Sequence, residues 1–189
     1  MIAEAAWQEF SLRKVLFIPS GDTPNKDMHH IDKNIRYAMV EKAIEGNGHF
    51  MISPIERDRQ GPSYTVDTIR ILQREFGDDY EFYFICGTDA VADLPTWKYN
   101  RELLSACHFI CASRPGNENE IQKSIDYFGE LGRKKIHFLK TPELAISSTI
   151  LRDWIAEKRS VRYLIPDAVI DMIRSNKLYE WGAGNTTTY

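Results

Sequence analysis

The densest chemistry lies in Ala145-Ile146-Ser147-Ser148-Thr149-Ile150-Leu151-Arg152, where three consecutive hydroxyls precede an apolar run of helical spacing. One serine, Ser147 or Ser148, suffices to cap such a helix. The other hydroxyls, the open first-turn amides and Arg152, four residues after Ser148 and so on its face, converge on one point. An anion suits that donor set, and a polyphosphate suits it best. The plainer alternative is a helix cap with spare hydroxyls.

Four other segments carry residues of the same kind. PSGDTPNKD (19–27) is stiffened by two prolines, and Lys26 can reach an anion from it; otherwise it is a solvated loop. Arg36, on the helix that follows, is either phosphate-facing or structural. In ERDRQGPSYTVDT (56–68), Gly61-Pro62 forces a turn and Ser63 is predicted to cap the helix that Tyr64 begins. The amides of that helix start attract a carboxylate or phosphate; the bland reading is a well-capped helix. CGTDAVADLPTWK (86–98) offers Gly87, where backbone comes close to a ligand, and Asp89, placed to meet a ribose hydroxyl or a metal. Trp97 either stacks on a heteroaromatic ring or covers a core edge. Arg114, before Pro115-Gly116, reads as a phosphate fork, weak as a lone signal.

These segments follow apolar runs. Val15–Ile18, Phe50–Ile55, Tyr80–Cys86, His108–Ala112 and Ile136–Leu139 read as strands, continuous rather than alternating in apolarity and so covered on both faces. Helices are predicted between them. Their apolar faces are marked by Ile2, Ala5, Ala6 and Phe10; by Ile35, Ala38, Met39 and Ala43; and by Val66, Ile69, Leu72 and Phe76. Further helices are expected near 100–105, 118–130, 148–157 and 167–175. Strand–helix alternation implies right-handed crossovers and an α/β doubly wound parallel sheet. Such sheets bind ligands at the carboxyl ends of their strands, where the candidate residues fall.

The bounds are consistent with one globular domain. A chain of 189 residues, 43% hydrophobic, suits one domain over 1–180 with a loose polar tail over 181–189. A net charge of -3 gives no basic footprint for nucleic acid. No apolar run is long enough for a membrane span, and MIAEAAWQEF is no secretory signal. Cys86, Cys107 and Cys111 sit in apolar runs without ligand spacing, so buried free thiols of a cytoplasmic protein are expected, and no protein-held metal.

Taken in order, IPSG with Lys26, GPSYTVDT, GTD with LPTWK, RPG, ISSTILR and YLIPDAVIDMIRSNKLY resemble the bacterial nicotinate-nucleotide adenylyltransferase family, from Met1 to about Tyr179. GPSYTVDT and ISST-x-x-R together are specific. The resemblance implies a Rossmann-like nucleotidyltransferase fold, and transfer of AMP from ATP to nicotinate mononucleotide with Mg²⁺ on the polyphosphate. It puts Ser148, Thr149 and Arg152 on ATP phosphates, and Gly87 and Asp89 at the nucleotide sugars. It puts Thr65, Trp97, Lys98 and Arg114 on the mononucleotide. Arg152 and Lys26 are the candidate catalytic cations.

Two departures are visible. Lys98 stands where many members have Tyr. The family's opening strand and its G-G-T-F-D-P-x-H-x-G-H motif have no counterpart, and none of the five histidines forms H-x-G-H. The expectation is a sheet short of its N-terminal strand, with impaired turnover, retained mononucleotide binding, and aggregation or pairing with another chain, homo-oligomers included. The alternative to an active enzyme is a truncated, catalytically impaired nucleotide-binding paralogue or fragment.

Overall fold

The computed structural model describes residues 1–21, 31–61, 63–113, 118–141 and 146–179. Lys26, Arg114, the His29–His30 pair and the 181–189 tail lie outside the described residues.

Five strands alternate with helices. The order is α1 (Ile2–Glu9), β1 (Val15–Phe17), α2 (Lys33–Ile44), β2 (Phe50–Ile52), α3 (Thr65–Phe76), β3 (Tyr83–Gly87), α4 (Thr88–Asp93) and a 3-10 turn, Leu94–Thr96. Then come α5 (Asn100–Ala106), β4 (His108–Ser113), α6 (Glu118–Phe128), α7 (Glu130–Lys135), β5 (Ile136–Lys140), α8 (Ser148–Ala156) and α9 (Asp167–Ser175). The strands pair parallel throughout, as their two-sided apolarity requires. They form two ladders: β1 with β2, and β3–β4–β5. Among the described residues β1 and β3 are not paired, so the predicted single sheet is present as two pieces.

The chain divides into two compact units, Met1–Pro24 with His49–Glu143, and Asn25–Gly48 with Leu144–Tyr189. The first unit holds both ladders. Its main core joins Val66, Ile69 and Leu72 of α3 to Leu94, Leu103, Leu104, Phe109 and Ile121, with Leu16 and Phe84 packed on it. A smaller core under α1 joins Ala6 to Ile110 and Leu139, flanked by Phe10 and Tyr83. In the second unit α2 packs on α9, whose Ile170 and Ile173 are buried.

Several expectations need correction. The stretch after β3, read as a loop, is the helix α4; its short side chains and early Asp89 suit a first turn as well as a loop. The helix predicted over 118–130 ends at Phe128, because Gly129 adopts φ 62°, and a separate α7 follows. Ile2, Phe76 and Ala43 are exposed rather than core-facing. No helix among the described residues is long and apolar enough to cross a membrane.

Candidate active site

In the first unit the candidate residues sit where strands end. Tyr64, not Ser63, occupies the cap position of α3, with extended backbone at φ -101° and ψ 136°. No side chain caps this helix, correcting the role expected of Ser63 and leaving the first-turn amides beside Thr65 without a side-chain acceptor. The helix is held from its flanks instead. Asp67 accepts from Arg59 and Arg70 at 2.9 Å each, and the Thr68 hydroxyl donates to Glu56 Oε1 at 2.8 Å. Arg70 also donates from Nε to Glu102 of α5 at 2.8 Å.

Trp97 follows the 3-10 turn. Its ring meets Phe84 and Phe109 edge-on, with centroids 6.1 and 6.5 Å away, so the indole is anchored on the core and only half-buried. Lys98 beside it is exposed, and its Nζ donates to the Tyr64 phenol oxygen at 3.0 Å, 4.8 Å from that ring's centroid. This hydrogen bond raises the lysine's pKa. Thr65 lies more than thirty positions from Trp97 and Lys98, and the Tyr64–Lys98 bond brings the two segments together at one helix start. Tyr64 was missed as a participant, and its place inside GPSYTVDT was the signal for it. Directly after Lys98 the chain turns through Tyr99, a non-glycine residue at φ 58°, a conformation that costs energy unless its surroundings enforce it.

Gly87 ends β3 and Asp89 lies in the first turn of α4. A Cβ built on Gly87 meets no protein atom within 4 Å, so no neighbouring contact demands glycine there. Burial, and then the charge of the Asp89 carboxylate, push the Cys111 thiol of β4 up. Burial likewise pushes Cys86 and Cys107 to about 12, which leaves these thiols unreactive.

In the second unit Ser147 caps α8, its hydroxyl accepting from the Ile150 amide at 3.1 Å. Ser148 and Thr149 are thus spared from capping, and both are exposed. Arg152 Nη2 donates to Thr149 Oγ1 at 3.2 Å, one turn of helix away. Arg152 and Arg36 of α2 both face the phenol of Tyr179: burial raises its pKa, and the two guanidiniums oppose that rise. Arg152 and two exposed hydroxyls at a capped helix start form an anion-directed surface.

A parallel α/β chain with cationic and hydroxyl groups gathered after its strands belongs to the nucleotide-binding class. A cytidylyltransferase-like family model matches residues 1–153. The probable nicotinate-nucleotide adenylyltransferase of Moorella thermoacetica is 44% identical over 94% of this chain and 82% of its own length. That of Thermoanaerobacter sp. is 41% identical over 94% and 85%. Among solved structures, a Plasmodium falciparum nicotinic acid mononucleotide adenylyltransferase complexed with NaAD matches with TM-score 0.71 at 19% identity, over 97% of this chain and 92% of that one. At that identity it supports the fold, Rossmann-like and of the nucleotidyltransferase type. The chain belongs to the nicotinate-nucleotide adenylyltransferase family, as its motifs led one to expect.

Proposed function

We propose that this chain is a nicotinate-nucleotide adenylyltransferase, transferring AMP from ATP to nicotinate mononucleotide to give deamido-NAD and pyrophosphate. The observation that carries the proposal is the 44% identity over 94% of the chain to a relative of that name. The residues support it. Ser148, Thr149 and Arg152 take the ATP phosphates; Gly87 and Asp89 meet the nucleotide sugars. Thr65, Trp97 and Lys98, with Arg114, hold the mononucleotide. Its phosphate attacks the ATP α-phosphorus in line and expels pyrophosphate, so the protein's task is positioning and neutralising charge. Arg152 and Lys26 supply positive charge where it is needed.

Mg²⁺ enters this reading with ATP. Hydroxyls and a guanidinium suit phosphate oxygens, and among the described residues no cluster of His, Cys, Asp and Glu could hold a metal ion. A Mg²⁺ ion held mainly by the nucleotide's own phosphates fits that donor set and supplies further charge neutralisation.

A second reading is a nucleotide-binding member of the same family with little turnover. Pyrophosphate release with Mg-ATP separates the two. Release on adding nicotinate mononucleotide, and not nicotinamide mononucleotide, supports the enzyme. Binding of the mononucleotide without release supports the second reading, and neither binding nor release overturns both.

A further inference from the structure

At the amino ends of β3, β4 and β5, away from the loops discussed above, Lys135, His108 and His137 form a continuous hydrogen-bonded chain. Lys135 Nζ lies 3.0 Å from His108 Nε2, and His108 Nδ1 lies 2.8 Å from His137 Nε2. An ammonium only donates, so His108 Nε2 must be an acceptor, and the proton of the neutral ring sits on Nδ1. That N–H donates to His137 Nε2, which fixes His137 as the Nδ1–H tautomer. One lysine therefore assigns every proton in the chain. The imidazole planes lie within 15° of each other, as an in-plane bond needs.

The chain has no place for another proton. On His108 Nε2 it would face the ammonium. On His137 Nε2 it would face the His108 N–H. In either position a donor points at a donor. The surroundings act in the same direction. Burial, then Lys135 and His137, hold His108 below its ordinary value, opposed by Glu81; burial and Lys135 do the same to His137. Tyr83 lies against His108 with centroids 4.8 Å apart, its own phenol 3.5 Å from Glu81 Oε2, and Cys107 also feels the lysine's charge. From α1 the contact is uncharged: Phe10, the residue ending that helix, meets the His137 ring edge-on at 5.7 Å.

We propose that Lys135, His108 and His137 form a proton-operated latch that fastens α1 to the three-stranded ladder. It is closed while both imidazoles are neutral and is released by acid. The folded imidazoles titrate below their unfolded value, so the unfolded chain binds more protons in the interval between. The latch's stabilisation is whole above about pH 6.5 and is lost as pH falls through the folded-state values.

Imidazole nitrogen NMR and amide exchange on the full chain test this. At about pH 7.5 both rings should be neutral Nδ1–H tautomers; between there and about pH 5.5 the exchange protection of α1, corrected for intrinsic rate, should fall at least tenfold relative to β4. Replacing half-exposed Lys135 in Lys135→Met removes the charge that opposes protonation, so the imidazoles should titrate at higher pH, and Lys135→Arg should restore the wild-type midpoint. A His108 Nε2–H tautomer, protection of α1 that tracks β4 at both pH values, or an unmoved midpoint in Lys135→Met would each overturn the latch.

Discussion

Arg152 is the residue on which the polyphosphate reading turns, since its guanidinium is already oriented by Thr149. Losing a charge-assisted contact costs about 1.5–3 kcal/mol, or roughly 10- to 150-fold in affinity. Arg152→Ala should weaken ATP binding by that factor in calorimetry and leave nicotinate mononucleotide binding within about twofold; equal losses for both ligands would indicate misfolding instead. Lys98 bears on selectivity. Nicotinate carries a carboxylate where nicotinamide is neutral, and the Lys98 ammonium is held beside the α3 start by Tyr64. Lys98→Gln should cut the ratio of affinities for the acid over the amide by roughly tenfold. An unchanged ratio would leave the selectivity to the backbone amides of α3. Two glycines make a paired test. A Cβ on Gly87 enters open space, whereas one on Gly21 would collide with the Glu56 carbonyl oxygen. Gly87→Ala should therefore unfold within about 1 kcal/mol of wild type and lose nucleotide affinity. Gly21→Ala should lose about 1–3 kcal/mol of stability through overpacking. Denaturant melts beside nucleotide titrations would show whether the two effects separate in this way.

Among the elements, α8 is the one most open to direct test. Ser147 alone closes its first turn. Ser147→Ala should cost about 0.5–2 kcal/mol by loss of the cap, read as a lowered denaturation midpoint, while Ser148→Ala should cost little stability and act on nucleotide binding. Much of this was legible in advance. Runs such as Phe109-Ile110-Cys111 are apolar on both faces, as a covered parallel strand requires, and α3 announced its buried face through Val66, Ile69 and Leu72. The misses have physical causes. Ser63 has the chemistry of a cap, yet Tyr64 takes that position and the helix start is left uncapped. The break between α6 and α7 depends on Gly129 turning left-handed and on Gly132, where a Cβ would lie 2.6 Å from the Ile125 carbonyl oxygen; hydrophobic periodicity does not register so close an approach of two backbones. The Tyr64–Lys98 and His108–His137 pairs span 34 and 29 positions and become visible only when the strands are in register.

The two parallel ladders give the whole molecule an uneven surface. Among the described residues β1 pairs only with β2, and β3 only with β4, so each presents one row of unpaired backbone donors and acceptors. On β3 this coincides with apolar side chains that no neighbour completes. Phe109, Ile110 and Cys111 of β4 are fully buried, while Tyr83, Phe84, Ile85 and Cys86 beside them are only partly buried. A strand edge with these properties is a template for another strand, and proteins ordinarily block such edges with charge, proline or a covering element. Tyr83–Gly87 carries neither charge nor proline. The expected outcome is self-association. Light scattering should show mass rising with concentration, thermal unfolding should be broad or irreversible, and added nucleotide should stabilise the monomer only as far as it binds the folded state. A chain that stays monomeric across a wide concentration range and melts in one sharp reversible transition would mean that the β1 and β3 edges are satisfied in solution. The unpaired strands would then not limit stability.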